Sequence, residues 1–537
     1  MNLLSRAASR LFAGPPTQGG LRLPRNKPGL PTAGRIRELA LPTQLVLPLL
    51  DYRRHVLTPL VQAGQYVEAG QTLAPGVIAT ARGQVLAIEP RPVIHPSGRL
   101  APCVILEPLA GVEHDNTSAC HAPLSILTAE RLDACGVHGL GGAAFATADK
   151  FTAARQDDGS VKILLINAVE CEPQIACDEA LLMCDAAAVI EAIDSLRQLT
   201  RCQRCVLAVE NDKTVAIQAL RHALQLNPVD LELVLLEPIY PAGAERSLIK
   251  RITGHSLASG ERAADRAILS INVATALAAH RAQQGHPLLS RIVTVSGEGL
   301  PEPVNVRVRF GTPVEEVLRQ CHYRGLPDDH RVRANGPLSG FDLSSLQAPI
   351  TASTNCLIIR RVDPAPPSLP CIRCGACEEV CPEQLLPQQL YWYAQADDIA
   401  GTQRFGLESC ITCGCCDLVC PSSIPLTQSF RHARDARREQ LHQETMARLS
   451  QERYQRREQR EADRAAAREE RRRLAKAQLE TNRDPIADAL ARARLRRKPR
   501  PSPAASPSLD TAANTIDTDT SGTDNSTVQR SPDADRS

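Results

Sequence analysis

Eight cysteines in the second half of the chain repeat one spacing twice. Each copy has three cysteines separated by two residues, a fourth cysteine after three more residues, and a proline directly after it. The two copies are Cys371, Cys374, Cys377, Cys381 with Pro382, and Cys410, Cys413, Cys416, Cys420 with Pro421. Cysteine thiolates at this spacing are the iron ligands of bacterial proteins that carry two 4Fe–4S clusters. The spacing therefore predicts two 4Fe–4S clusters and the transfer of single electrons.

Each cysteine run is predicted to exchange its last ligand with the other run. Three thiolates separated by two residues can reach three corners of a cubane from one tight loop, and in two-cluster ferredoxins the fourth cysteine binds the other cluster. The assignment gives Cys371, Cys374, Cys377 and Cys420 to cluster I, and Cys410, Cys413, Cys416 and Cys381 to cluster II. Cys415, beside Cys416, would break the spacing and is predicted to be a buried spare.

Structural zinc is the alternative to iron, because paired C-x-x-C units also bind zinc. Zinc sites need neither a third cysteine at the same spacing nor a cysteine–proline ending, and both features occur twice here. The pattern therefore favours iron–sulfur clusters. The zinc alternative implies a different class of protein, an interaction scaffold with a basic helical arm.

The composition indicates several ordinary domains and no nucleic-acid partner. The 537 residues are enough for about three to five domains. A net charge of +2 and an aromatic content of 3% argue against a surface for nucleic acid. The cysteines outside the two runs are scattered, which favours reduced thiols in a reducing cytosol. No apolar stretch approaches the roughly 18–20 residues of a membrane span, so we expect a soluble or peripheral protein.

Changes of residue pattern along the chain predict seven segments. Short strands with glycine turns are followed by alternating strand and helix patterns, in which Lys162–Asn167 is typical of a strand buried on both faces. The predicted segments are 1–29, an N-terminal segment; 30–110, an all-β barrel-sandwich; 125–285, an α/β domain; 289–345, a small β domain; 363–425, the cysteine runs; 427–480, a charged helix; and 481–537, a disordered tail.

A second group of candidate residues lies in the α/β segment. The glycine-rich loop 136–145 precedes a predicted helix, and backbone N–H groups of such loops can bind phosphate. It lacks the G-x-G-x-x-G register of dinucleotide-binding loops. The segment NAVECEP, 167–173, follows the apolar strand at the end where open α/β sheets bind ligands. From residue types alone, a ligand site and an acidic loop that only caps the next helix are equally supported.

Five motifs in one order resemble the RnfC (RsxC) family of the Rnf (Rsx) electron transport complex. They are the loop GLGGAAF, the segment NAVECEP, YPAGAE at 240–245, NVAT at 272–275 and the twin cysteine runs. The resemblance covers about residues 18–480, and this family is related to the NADH- and flavin-binding subunit of respiratory complex I. The all-β segment also resembles lipoyl or biotinyl carrier domains in fold. It has no lysine between Lys27 and Lys150 to modify, so a packing role is expected.

The resemblance implies a multidomain α+β and α/β fold. Its domains would be a barrel-sandwich domain, an α/β flavin-type domain similar to that of complex I, a β-grasp-like (SLBB) domain and a bacterial two-cluster ferredoxin domain, before the charged helix and disordered tail. It also implies residues around FMN and nicotinamide, namely Gly139, Gly141, Gly142, Asn167, Glu170, Glu172 and Asn272. No residue is assigned as catalytic.

The implied function is that of a peripheral cytoplasmic subunit of an ion-translocating oxidoreductase, a translocase, at the bacterial inner membrane. Electrons would pass between NAD(H) and the two 4Fe–4S clusters through FMN. The implied partners are NAD(H) and the other subunits of the complex. Membrane contact would be made through those subunits, and nucleic acid is not expected as a partner.

Two departures from the family pattern bear on FMN. The family loop usually reads GGAGFPT, whereas this chain has Ala144 for the glycine and Ala146 for the proline; Ala244 replaces a glycine of YPxGGE. If either glycine position needs φ > 0, alanine costs about 1–2 kcal/mol. An alternative function therefore stays open, that of an electron-relay and docking subunit with a vestigial flavin site.

Overall fold

The computed structural model of the chain describes residues 19–23, 35–51, 55–109, 121–124, 127–325, 329–361 and 367–496, without the side chains of 482–484. Most of the predicted N-terminal segment 1–29 lies outside the described residues, as does the predicted disordered tail beyond 496. The chain divides into two compact units, residues 1–442 and 443–537.

The first β module is a small antiparallel structure. Its strands form one sheet in the order β2-β7-β6-β3 and a separate hairpin of β4 and β5. Side chains of these strands, among them Leu45, Leu73, Val85 and Leu106, bury a common core. The strands are β1 Ile36–Glu38, β2 Leu45–Pro48, β3 Tyr66–Val67, β4 Thr72–Ala74, β5 Val77–Ile78, β6 Gly83–Pro92 and β7 Leu100–Pro108.

An α/β domain with a parallel sheet follows. The strands are β8 Ile163–Ala168, β9 Arg204–Glu210, β10 Glu232–Leu236 and β11 Ile268–Asn272. They are arranged in the order β10-β9-β8-β11, and every pair is parallel. The helices are α1 Ala129–Ala134, α2 Thr147–Ala154, α3 Cys177–Cys184, α4 Ala186–Thr200, α5 Thr214–Leu226, α6 Glu245–Thr253 and α7 Val273–Gln283.

Both faces of the parallel sheet are covered, which explains the continuous apolar run of β8. Leu164 and Ile166 join the core on one face, whereas Leu165 joins the core on the other face with Leu248 and Ile249 of α6. A strand with helices on both faces needs apolar side chains at every position.

A six-stranded mixed sheet comes next, in the order β1-β13-β12-β16-β14-β15. It takes in β1 from before the first β module, paired parallel with β13, and β16, which lies past the predicted end of this domain at 345. Neither pairing has a local sequence signal, because both strands are short and pair with distant residues. The new elements are β12 Ser290–Gly297, β13 Val304–Arg309, α8 Val314–Gln320, β14 His330–Ala334, β15 Phe341–Asp342 and β16 Cys356–Arg361.

The cysteine runs lie in a small helical domain. Its core contains Leu390, Leu407 and Phe430. The helix after the first run includes Trp392, whose ring lies 5.1 Å from the Arg373 guanidinium. The helices are α9 Ala376–Glu379, α10 Pro387–Gln395, α11 Ile399–Arg404, α12 Cys415–Leu418 and α13 Leu426–Leu495.

The last helix, α13, is long and charged. It continues to Leu495, beyond the predicted end at 480. From residue 443 onward nearly all its described side chains are exposed, and pairs such as Arg457 and Glu461, 2.8 Å apart, follow i,i+4 spacing. Among the described residues, no helix is long and apolar enough to cross a membrane. The predicted multidomain α+β and α/β fold class is confirmed.

Gly297 tests the packing of the mixed sheet. It has φ +109° at the end of β12, and a Cβ there would lie 1.9 Å from the Ile359 carbonyl oxygen of β16. We expect Gly297→Ala to lower the free energy of unfolding by about 2–5 kcal/mol, because left-handed strain and overpacking add. The matched control is Gly260→Ala, at φ +78° with no atom within 4 Å of the new Cβ, which should lose only about 1–2 kcal/mol. Equal losses in thermal unfolding of the two variants would contradict this packing.

Candidate functional site

The eight cysteines line two separate cavities. One, of about 400 Å³, is lined by Cys371, Cys374, Cys377 and Cys420. The other, of about 380 Å³, is lined by Cys381, Cys410, Cys413 and Cys416, together with Cys415. Each cavity thus combines three cysteines of one run with the last cysteine of the other run. This is the grouping that the exchanged assignment requires.

The two runs have the same backbone course. Arg373 and Thr412, each just before the second cysteine of its run, have φ of +57° and +51°. Gly375 and Gly414 follow in the same left-handed region and begin α9 and α12. These two short helices pack against each other, so the fourth cysteine that follows each helix reaches the neighbouring cavity.

The spacing of the sulfur atoms bears on the choice between iron and zinc. A tetrahedral zinc site with Zn–S bonds of about 2.3 Å places its sulfur atoms about 3.8 Å apart. Among the described residues, the group of three possible ligands within 4.8 Å of one another is Glu170, Cys177 and Asp178, and no three sulfurs of the two runs are that close. The cysteines therefore surround cavities that are too wide for zinc, whereas a cubane holds its four thiolates further apart.

The surroundings of these sulfurs also fit a 4Fe–4S cluster. Apolar side chains of Ile372, Tyr391 and Ile424 complete the first cavity, and Leu385, Leu390 and Phe430 complete the second. Backbone N–H groups donate to sulfur in the second cavity, from Leu385 to Cys381 Sγ at 3.3 Å and from Thr412 to Cys410 Sγ at 3.4 Å. Such hydrogen bonds to sulfur are among the factors that set cluster potentials.

The glycine-rich loop lies at the carboxyl ends of β8 and β11. Asn167 and Asn272 are direct neighbours in the parallel register of these strands. Gly141 is so close to Asn272 that an added Cβ would approach the Asn272 Cβ to 3.3 Å, whereas Gly142, at φ +101°, has no atom within 4 Å of its Cβ direction. The N–H of Leu140 donates to Thr275 Oγ1 at 2.8 Å and holds the loop to the first turn of α7.

The two asparagines connect three of the sequence motifs. The Asn167 Nδ2 group donates to the Gly243 carbonyl at 2.8 Å, and Asn272 Nδ2 donates to Asp178 Oδ2 at 2.6 Å. Burial, and then the charge of Glu170, raise the pKa of Asp178 to about 7. The glycine loop and the motifs NAVECEP, YPAGAE and NVAT therefore meet at one edge of the sheet.

The two carboxylates of the ECEP segment have different partners. Glu170, 7% exposed, accepts the N–H groups of Asp178 at 3.0 Å and Glu179 at 3.3 Å. It therefore caps α3, which is the role that the bland interpretation gave to this loop. Glu172, 9% exposed, accepts the N–H groups of Leu338 at 2.7 Å and Ser339 at 3.0 Å, in the turn between β14 and β15.

Tyr240 extends the contacts of Glu172 to the cysteine domain. Its hydroxyl donates to the Cys413 carbonyl at 2.5 Å and lies within hydrogen-bonding reach of Glu172. Burial, and then the nearby Glu172, raise the pKa of Tyr240 far above its usual value, so the hydroxyl remains a donor at neutral pH. The structure thus places Glu172, expected near FMN, at the junction of three domains.

Two cationic residues at this edge were missed by the sequence analysis. Lys150 of α2 lies 2.5 Å from Glu245 Oε2, 3.2 Å from the Ser270 carbonyl and 5.7 Å from the Phe145 ring centroid. Its position one turn after the glycine loop was the available signal. Arg291 is 4% exposed and donates from Nη2 to the Leu140 carbonyl at 3.1 Å. It belongs to β12 of another domain, so no local pattern could indicate it.

The donors at the sheet edge fit a flavin mononucleotide. Glycine N–H groups and the Lys150 ammonium suit a phosphate, and asparagine amides suit the polar edge of a flavin ring. The space beside Gly142 is open. The sequence-predicted Gly139, Gly141, Gly142, Asn167, Glu170 and Asn272 lie at this edge, and Glu172 lies at the domain junction.

Family profiles match three parts of the chain. Residues 132–281 match the Nuo51 FMN-binding domain, residues 16–109 the RnfC barrel sandwich hybrid domain, and residues 370–424 the 4Fe–4S dicluster domain. A chain in a crystal structure of an NAD+-reducing NiFe-hydrogenase in the H2-reduced state is similar with a TM-score of 0.42 and 18% identity, covering 57% of this chain and 60% of that chain.

Relatives with the same name match most of the chain. The C subunit of the ion-translocating oxidoreductase complex of Pasteurella multocida is 39% identical over 432 residues, covering 77% of this chain and 50% of the relative. The protein of that name from Pseudomonas aeruginosa is 39% identical over 455 residues, covering 81% and 58%. The chain spans about half the length of these relatives. With an RnfC barrel-sandwich, an FMN-binding and a 4Fe–4S dicluster domain in this order, the chain belongs to the family of C subunits of ion-translocating oxidoreductase complexes.

Proposed function

We propose that this chain passes electrons between NAD(H) and two 4Fe–4S clusters through FMN, as a peripheral subunit of a membrane-bound, ion-translocating oxidoreductase. The observation that carries the proposal is the presence, in one compact unit, of two four-cysteine cavities and a glycine-loop site. The ion pathway and the attachment to the cytoplasmic face of the inner membrane belong, in this proposal, to other subunits of the complex.

The proposed roles of the residues follow from their chemistry. Bound FMN takes the electron pair of a hydride and returns electrons singly, which iron–sulfur clusters require. The N–H groups of Gly139, Gly141 and Gly142 would hold the phosphate, with Lys150 as the counter-charge. Asn167 and Asn272 would orient the ring, because their side chains are fixed by hydrogen bonds to Gly243 and Asp178.

Glu170 supports this site through α3. Its carboxylate holds the first N–H groups of the helix that carries Asp178. Lys213, 5% exposed, forms an ion pair with Glu179 of the same helix. Burial lowers the pKa of Lys213, but Glu170 and Glu179 raise it by more, so the ammonium stays charged. The buried acids are thus balanced by a fixed cation, which keeps α3 in place beside Asn272.

The alternative, a relay subunit with a vestigial flavin site, depends on Ala144 and Ala244. Ala144 has φ +48°, in the left-handed region that disfavours alanine. Ala244 has φ −65° and ψ 132°, which any residue adopts without strain. Only one of the two departures therefore has a backbone cost, about 1–2 kcal/mol, and the alternative loses half of its support.

NADH should reduce the loaded protein. We expect the full chain, purified without oxygen, to contain flavin and to lose cluster absorbance in the visible region when NADH is added. Lys150→Met should lower the flavin content several-fold and leave iron unchanged. The control is Lys162→Met, because Lys162 precedes β8 at the opposite end of the sheet. Intact clusters without flavin and without bleaching by NADH would contradict the proposal.

The backbone angles predict opposite effects for the two alanines. Ala144→Gly should stabilise the protein by about 0.5–1 kcal/mol, because relief of left-handed strain exceeds the added entropy of the unfolded chain. Ala244→Gly should destabilise it by about 0.4–1 kcal/mol, because only the entropy term remains. Thermal unfolding of both variants measures the difference. If native protein binds no FMN and Ala144→Gly restores stoichiometric binding, the vestigial-site alternative is correct.

Iron content distinguishes the adjacent Cys415 and Cys416. Native protein should hold about eight iron and eight sulfide per chain, as two 4Fe–4S clusters demand. Cys416→Ala should lower both toward about four, because one cubane loses a ligand. Cys415→Ala should keep both, although Cys415 is 1% exposed and lines the same cavity. Iron loss in the second variant and retention in the first would reverse the assignment, and zinc without sulfide would support the scaffold alternative.

A further inference from the structure

The loop of residues 240–245 touches both candidate redox sites. At one end, the Tyr240 hydroxyl donates to the Cys413 carbonyl at 2.5 Å. At the other end, the Gly243 carbonyl accepts from Asn167 at 2.8 Å, and Glu245 lies 2.5 Å from Lys150 Nζ. Six residues therefore connect the sheet-edge site to the cavity of cluster II.

This connection is tightly packed at the flavin-type site. A Cβ on Gly243 would lie 2.3 Å from the Val169 carbonyl oxygen and 3.5 Å from Cys171 Sγ. The Gly243 N–H also donates to Cys171 Sγ at 3.3 Å. The loop is thus held against the segment that follows β8, and its distance from Asn167 is fixed.

The cluster II end is held from a second side by Glu172. The carboxylate fixes the N–H groups of Leu338 and Ser339, and Gly414 packs so closely on this turn that a Cβ would lie 2.7 Å from the Leu338 carbonyl oxygen. Arg431 of α13 donates to the Ser339 carbonyl at 2.5 Å. The Cys413–Gly414 loop therefore sits between Tyr240 and a turn that Glu172 anchors.

The cavity of cluster I has no comparable connection. Its lining residues fall within 371–426 of the cysteine domain. Among the described residues, the side-chain hydrogen bond from the α/β domain to a ligand cysteine reaches Cys413, in cluster II. The two cavities therefore differ in their access to the flavin-type site.

We infer that cluster II is the cluster that exchanges electrons with the flavin site, and that Tyr240 is a positioning residue that sets its reduction potential. The inference rests on the proposed function for the presence of FMN and both clusters. NADH gives up two electrons and a proton in becoming NAD+. Cluster II takes the electrons one at a time and passes each to cluster I, and the proton of the hydride is released to water.

The effect of Tyr240 on the potential has a defined sign. The oxygen of the Cys413 carbonyl is the negative end of a peptide dipole beside the cluster. A hydroxyl that donates to this oxygen offsets part of its negative charge, which favours the addition of an electron to the cluster. Loss of the hydroxyl should therefore make cluster II harder to reduce.

The test is a redox titration of the full chain, purified without oxygen and followed by electron paramagnetic resonance. Tyr240→Phe should lower one midpoint potential and leave the other unchanged. The expected change in the reduction equilibrium is about threefold, near the smallest net effect of one hydrogen bond, or about 28 mV at 59 mV per tenfold change. The isosteric change preserves packing, so a merely structural role would move neither midpoint.

Two further variants assign the midpoint that moves. Thr427 lines the cavity of cluster II, so Thr427→Val should shift the same midpoint as Tyr240→Phe. Tyr391 lines the cavity of cluster I, so Tyr391→Phe should leave that midpoint unchanged. In samples frozen rapidly after mixing with NADH, the signal of the Tyr240-sensitive cluster should appear first.

The outcomes separate this inference from the proposed function. Absence of iron, sulfide or NADH-dependent reduction in the native protein would overturn the proposed function and the inference with it. Loaded clusters that NADH reduces, with both midpoints unchanged in Tyr240→Phe, would overturn the inference alone. So would a Tyr240-sensitive midpoint that follows Tyr391→Phe instead of Thr427→Val, or a cluster I signal that appears first.

Discussion

The parallel pairing of β8 and β11 is the constraint on which the flavin-type site depends. It sets Asn167 beside Asn272, although the two residues are far apart in the chain. The glycine loop then packs on Asn272, and the loop after β10 packs on Asn167. A slip of this register by one residue would turn both asparagines to the other face of the sheet. Every other contact of the site follows from this one pairing.

Hydrogen bonds to the backbone carry much of the junction between domains. Thr80 of the first β module donates to the Phe310 carbonyl at 2.7 Å, and Arg309 donates to the Thr80 carbonyl at 3.1 Å. Glu172 binds two N–H groups of the β14–β15 turn. Buried polar groups need partners, and here they find them across domain boundaries. The domains of this unit are therefore joined by directional contacts that fix their relative positions as well as by apolar packing.

The features that could be predicted from the sequence are those with a local signature. The cysteine spacing predicted which cysteines group together, because ligand geometry is written in intervals of two and three residues. The apolar run at 162–167 predicted a strand with two covered faces, because burial on both sides removes all alternation. The glycine loop was found, but from residue types alone its role was as uncertain as that of the acidic loop after β8.

The features that could not be predicted arise from distant contacts or from backbone angles. Arg291 reaches the glycine loop from another domain, and β1 joins a sheet whose other strands come much later in the chain. The partners of Glu172 depend on a turn more than a hundred residues away. Ala144 and Ala244 look equivalent as replacements of glycine, yet only Ala144 has φ > 0. No residue pattern distinguishes such cases before the chain is folded.

The exchange of the fourth cysteines has a consequence for how the protein is made. The first run alone gives three thiolates to one cavity and a single thiolate to the other. A nascent chain that has emerged only as far as the first run has no complete set of four. The cavity with Cys410 closes first, once Cys416 has left the ribosome, and the cavity with Cys371 waits for Cys420. Metallation is thereby postponed until nearly all of the compact unit 1–442 has been synthesised, and fragments released early cannot retain a cubane.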